Sequence, residues 1–154
     1  TIQAATQLLE QDNLATDIRN EALYCRAKGH LHDKQYGLAV VDLTPLAKEV
    51  RTAWGAEAKY QLADCYFHLG AIDMAEHEIM SFTQLQTSHQ YWLAKSLILL
   101  ADINIARNDL FQAKQYLLAL KGSYRQEDDI QSIIMEKLSY IEELDSKEKE
   151  EETL

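Results

Sequence analysis

Small residues return at fixed intervals along this chain. Ala27, Ala63 and Ala101 form one series and Ala39, Ala75 and Ala113 a second. The step from Ala27 to Ala63 equals that from Ala39 to Ala75, and the step from Ala63 to Ala101 equals that from Ala75 to Ala113. The two alanines of each unit are always separated by the same distance in sequence, and an apolar residue follows the second by four: Leu43, Ile79 and Leu117. Two antiparallel helices joined by a short turn approach closely only where side chains are minimal. The spacing therefore predicts a helical hairpin that occurs three times.

Composition points the same way. Five glycines and one proline in 154 residues are too few for the turns of an all-β sandwich, so the reading is nearly all helix. With 47% apolar and 26% charged residues the chain is expected to be folded and to have a real core. The formal charge of −10 disfavours a nucleic-acid surface, which needs an excess of Lys and Arg. That charge is uneven. From Glu127 onward 11 acidic and 3 basic residues give −8, whereas the 14 acidic and 12 basic residues before it give −2, so the acidity belongs to one end. The most apolar run, Leu97 to Ala101, is far below the roughly 20 residues of a membrane span, and no membrane insertion by this segment is expected. Cys25 and Cys65 are too few for a disulfide scaffold and lack zinc-site spacing, which predicts two free, half-buried thiols. A start at Thr1 without a basic, apolar leader suggests an excised fragment or a mature form.

The best copy of the hairpin reads Leu62-Ala63-x-x-Tyr66, Gly70 at the turn, then Ala75-x-x-x-Ile79. The third reads Leu100-Ala101-x-x-Asn104, Asn108, Ala113-x-x-x-Leu117, and the first Arg26-Ala27-x-x-His30, Ala39-x-x-x-Leu43. This pattern resembles the tetratricopeptide repeat, whose period is about 34 residues. The resemblance covers about residues 1–125. The family's early Trp is replaced by Leu23, Lys59 and Leu97, its late Ala by Leu46, Phe82 and Leu120, and its closing Pro is absent, which leaves room for another helical-hairpin repeat. Ala5-x-x-x-Leu9 stands one such period before Ala39-x-x-x-Leu43 and looks like the second helix of a further repeat. The implied fold is an all-α, right-handed superhelical solenoid of α-hairpins with a C-terminal capping helix. Its array spans 1–126, with a partial repeat at about 1–15 and hairpins at about 16–52, 53–88 and 89–126; 127–154 is the capping helix with an acidic tail.

Periodicity and punctuation predict helices over about 2–12, 16–32, 35–51, 54–69, 72–86, 89–107, 110–122 and 127–149. Pro45 should kink or restart the third, with Thr44 as the N-cap of the restart. In the last helix Ile130, Ile133, Ile134, Leu138 and Ile141 form one apolar stripe behind Glu127, Asp128 and Asp129, whose carboxylates favour the exposed amides of a helix start. The stripe is expected to cover the open end of the last hairpin, while Asp145 to Leu154 should fray.

Catalytic or metal chemistry finds no support. His30, His32, His68, His77 and His89 lie in no ligand motif, and no Gly-rich phosphate loop or Gly-x-Ser-x-Gly elbow occurs. The expectation is a non-enzymatic protein without a cofactor. In tetratricopeptide solenoids the first helix of each hairpin lines the concave face, and the resemblance carries those positions onto Glu21, Tyr24, Lys28, Leu31 and His32; Glu57, Tyr60, Asp64, Phe67 and His68; and Lys95, Ile98, Asp102, Ile105 and Ala106. The first two rows repeat a theme of Glu, Tyr, charge, apolar residue and His. Rings flanked by charges suit a peptide or protein segment, the aromatic groups supplying contact area and the charges register. The carboxylate clamp of chaperone-binding members is not expected, because Tyr24, Lys28, Gln61 and Leu99 stand at its levels. Trp92 is expected to pack against Phe82 and Leu85, with a place at the groove border as the other reading. The alternative function is a structural spacer or self-association module, and homo-oligomers fit either reading. Gly55 to Ile130 resembles the C-terminal repeats of long bacterial tetratricopeptide proteins, implying a bacterial source and a larger parent; the partner's identity and a cytoplasmic or periplasmic location stay open.

Overall fold

A computed structural model describes residues 1–154. It contains eight α-helices and no strand: α1 (Ile2–Leu9), α2 (Thr16–His32), α3 (Tyr36–Leu46), α4 (Ala53–His68), α5 (Ile72–Gln84), α6 (Gln90–Ala106), α7 (Leu110–Ser123) and α8 (Ile130–Glu152). The chain forms two compact units, 1–92 and 93–154. In the first, α1 packs on α2, α2 on α3, α3 on α4 and α4 on α5; in the second, α7 packs on α8.

The recurring positions are among the most buried in the molecule. Ala27, Ala39, Ala63, Ala75, Ala101 and Ala113 are at most 1% exposed, and Leu43, Ile79 and Leu117 are fully buried. In the first unit Ala27, Ala39 and Leu43 join Leu46, Ala58, Leu62 and Cys65 in one core cluster, flanked by Leu23, Tyr24, Leu31 and Trp54. Each large aliphatic side chain so buried contributes about 1.5–3 kcal/mol, and the alanines set how closely the helix axes approach.

The turns recur with the same spacing. Residues 33–35, 69–71 and 107–109 join helix pairs, and their middle residues Lys34, Gly70 and Asn108 take φ of 56°, 76° and 58°. At each turn the next N–H reaches back past the helix end: Gln35 to His30 O at 2.8 Å, Ala71 to Tyr66 O at 2.9 Å and Asp109 to Asn104 O at 2.8 Å. The Lys34, Gly70 and Asn108 amides donate to Leu31, Phe67 and Ile105 carbonyls, completing a Schellman closure in all three.

An ion-paired acid also recurs at the same repeat position in the first unit. Asp42, 1% exposed, accepts from Arg26 Nε at 2.9 Å and Nη2 at 2.6 Å, while Arg26 Nη1 donates to Thr6 Oγ1 at 3.3 Å, so one guanidinium ties α1, α2 and α3 together. Glu78, its counterpart on α5, pairs with Lys59 at 2.6 Å. The cation has moved about one helical turn, since Arg26 corresponds to Leu62 and Lys59 to Leu23.

Three local expectations are corrected. α3 does not restart at Thr44: it ends at Leu46, and Thr44 Oγ1 donates back to Val40 O at 2.7 Å within the same helix. The chain then turns through 47–52 so tightly that a Cβ on Gly55 would lie 1.9 Å from Glu49 O, which makes glycine obligatory there. α8 starts at Ile130 instead of 127, because Asp128 Oδ1 accepts the Ile130 N–H at 3.0 Å and thereby sits outside the helix. The acidic end is helical to Glu152 instead of frayed; Glu and Lys are strong helix formers, and Lys149 pairs with Asp145 one turn away at 2.6 Å. Ile130, Ile134, Leu138 and Ile141 are the buried stripe of α8.

Candidate functional site

The first unit contains an open cavity of about 500 Å³ walled by α2, α4 and the first turn of α6. Asp17, Asn20, Glu21 and Tyr24 come from α2, Ala53, Trp54 and Glu57 from α4, and Trp92 from α6. The α4 start is fixed by Thr52, whose hydroxyl oxygen accepts the Gly55 N–H at 3.1 Å, so Ala53, Trp54 and Glu57 project from its first two turns. The connection before α6 is held by Thr87 Oγ1 donating to Val50 O at 2.7 Å and by His89 Nε2, 3.0 Å from Arg51 O. These bonds place Tyr91 and Trp92 beside α4, where Trp92 stacks on Tyr60 with centroids 5.7 Å apart and meets Tyr91 edge-on at 5.0 Å.

Glu57 is the electrostatic centre. Its carboxylate accepts from Tyr24 Oη, Lys28 Nζ and Gln61 Nε2, each at 2.8 Å, which joins α2 to α4 through side chains alone. Lys28 Nζ also stands 5.7 Å above the Tyr24 ring. Burial, and then the bond to Glu57, push the Tyr24 phenol up to about 12.

Of the residues expected to face a groove, Glu21, Tyr24 and Glu57 line this cavity, and Lys28 and Tyr60 adjoin it through Glu57 and Trp92. Asp64, Phe67 and His68 form a separate cluster at the other end of α4. There His68 Nδ1 donates to Asp64 O at 2.8 Å, and its ring stacks on Tyr36 at 4.6 Å and meets Phe67 edge-on at 6.0 Å. Leu31 packs on the core cluster, and His32 is exposed. In the second unit the expected row is mixed, Ile105 being half-buried and Ala106 exposed. Ile98 is only 4% exposed because α6 is apolar on most of its circumference, and Asp102 is taken by Lys137 of α8 at 2.6 Å, with Lys95 half-buried.

Trp54 escaped the groove assignment, although the step from Trp54 to Trp92 is the same one that relates Ala63 to Ala101. Aligning large residues as well as small ones across the repeat would have found the pair. Trp92 stands on the cavity wall, as the groove-border reading of it expects. Cys25 is exposed and Cys65 fully buried, where burial and then the neighbouring Asp64 charge raise the thiol to about 12, so neither is half-buried and Cys65 is held in its protonated form. No group of three His, Cys, Asp or Glu side chains converges to hold a metal ion, and no helix is long and apolar enough to cross a membrane. What the arrangement offers is contact: aromatic faces, carboxylates and an open volume. Comparison of the chain with family models, with curated proteins and with solved structures finds no match.

Proposed function

We propose that this chain is a tetratricopeptide-like repeat scaffold that binds a peptide or protein segment across its first unit, without catalysis. The observation that carries the reading is the convergence of Tyr24, Trp54 and Trp92 on one open cavity beside a carboxylate hub. Tyr and Trp supply large contact area at low entropic loss, and they dominate the energetics of binding sites. The repeat identity rests on small-residue positions and Schellman turns that recur with the same two steps along the chain. A solenoid built from such hairpins presents its first helices side by side, and α2 and α4 supply most of the cavity wall. In this reading α8 closes the array, its Ile130, Ile134, Leu138 and Ile141 stripe covering what the last hairpin would otherwise leave in water.

The self-association reading draws on one observation, an open hollow of about 310 Å³ between α1 and α2 lined by Ala4, Ala5, Leu8, Ile18, Ala22 and Cys25 together with Thr1 and Glu21. A single experiment separates the two. Peptides selected from a random display library on the folded chain should bind its monomer and lose about tenfold or more in affinity in Tyr60→Ala and Trp92→Ala, with helicity by circular dichroism unchanged. A chain that yields no such peptide and sediments as a dimer dissociated by Leu8→Glu would overturn the scaffold reading in favour of self-association.

A further inference from the structure

We propose that the cavity of the first unit is a cation cage whose occupant is an arginine side chain of the bound peptide. This assignment rests on the reading of the cavity as a peptide site and specifies the chemistry of its ligand. Three aromatic side chains line the volume, Tyr24, Trp54 and Trp92, and three carboxylates stand with them, Asp17, Glu21 and Glu57. Aromatic faces carry negative quadrupole potential, so rings and carboxylates attract the same kind of group. An acidic or neutral segment gains nothing from Asp17 and Glu21, whereas a guanidinium can stack on an indole and bond a carboxylate in its own plane.

The chain already carries a cation docked by this chemistry. Lys28 Nζ lies 5.7 Å over the Tyr24 ring and 2.8 Å from Glu57 Oε1, although its side chain is still 46% exposed. Lys28 offsets one of the three carboxylate charges and leaves a net deficit of two at the cavity. Asp17 and Glu21 are exposed at the rim, where they steer an approaching cation, and the indoles behind them provide the less hydrated surface on which it rests. A volume of about 500 Å³ accommodates a guanidinium with its aliphatic stem and the flanking backbone.

The test exploits the chain's two tryptophans, both of which line the cavity, so intrinsic tryptophan fluorescence reports on this site alone. The probes are amidated hexa-arginine, hexa-lysine and hexa-citrulline, the last an uncharged near-isostere of the first. Hexa-arginine should give a saturable fluorescence change, hexa-lysine a weaker one, and hexa-citrulline an affinity at least about tenfold below that of hexa-arginine. The Asp17→Asn/Glu21→Gln double variant, at exposed positions, should weaken hexa-arginine about fivefold while melting at the same temperature. Equal binding of citrulline and arginine would overturn the cation assignment and leave the peptide reading standing. Arginine binding that the double variant does not alter would also overturn it, by showing that the rim carboxylates Asp17 and Glu21 take no part in holding the cation. No fluorescence response to these probes, where a display-selected peptide of other composition does perturb the tryptophans, would overturn the cage alone. Silence towards both would remove the peptide reading as well.

Discussion

The carboxylate of Glu57 receives three donors, and one of them, the Tyr24 hydroxyl, makes the site's contribution to stability depend on pH. A phenol whose folded-state pKa rises from 10.0 to about 12 is ionised first in the unfolded chain. Its stabilisation is complete below the unfolded value and disappears as pH climbs through the folded one, because the unfolded state then binds fewer protons. Chemical denaturation of the chain and of Tyr24→Phe should show the wild-type advantage intact at neutral pH and shrinking between pH 10 and about 12, a window set by the two values. A constant difference across that range would mean that Tyr24 is not bonded to Glu57. At this scale the sequence disclosed part of the site. Tyr24, Tyr60 and Glu57 stand at positions counted from the buried alanines, and helical periodicity makes such counting dependable within one helix. It could not disclose that Lys28 and Gln61 also turn to Glu57, or that His68 stacks on Tyr36 of another helix, since these contacts depend on rotamers and helix approach.

Between elements, the three Schellman turns place different residues in the same left-handed conformation: Lys34, Gly70 and Asn108. A lysine there is disfavoured because its Cβ crowds the following carbonyl, an asparagine less so, and a glycine not at all. Lys34→Gly should therefore raise the denaturation midpoint, equivalent to about 0.5–1 kcal/mol, and Gly70→Ala should lower it by about 1 kcal/mol. Unchanged midpoints in both variants would show that the turns are not closed in this way. Gly70 and Asn108 mark their turns in the sequence, but Lys34 carries no such signal and is placed only by standing one repeat before Gly70. The helices themselves were legible from the period of buried small residues. Their ends were less so: α3 stops at Leu46 because Pro45 and the Glu49 to Gly55 approach end it, and α8 continues to Glu152 because charged helix formers pair along its surface. Local composition gives a propensity, whereas these ends are decided by particular hydrogen bonds.

Across the whole molecule, charge and hydrophobic recurrence are separated along the chain. The segment before Glu127 carries the small-residue repeat with a net charge of only −2, and the residues from Glu127 onward carry −8. Within the nearly neutral part, the first unit gathers Asp17, Glu21 and Glu57 around its aromatic cavity, so the local field there opposes the impression of neutrality. Corresponding positions in the second unit take another course, Ile98 being buried and Asp102 paired with Lys137, which confines the proposed contact surface to residues 1–92. Such confinement could not be read from the repeat pattern, which assigns the same role to every first helix. The central claim, that a peptide segment binds in the cavity between α2 and α4, is most directly tested by the indole N–H resonances of Trp54 and Trp92 during titration with a display-selected peptide. Both resonances should shift saturably with the dissociation constant measured for the whole chain. A peptide that binds with that constant while neither indole moves would contradict the account.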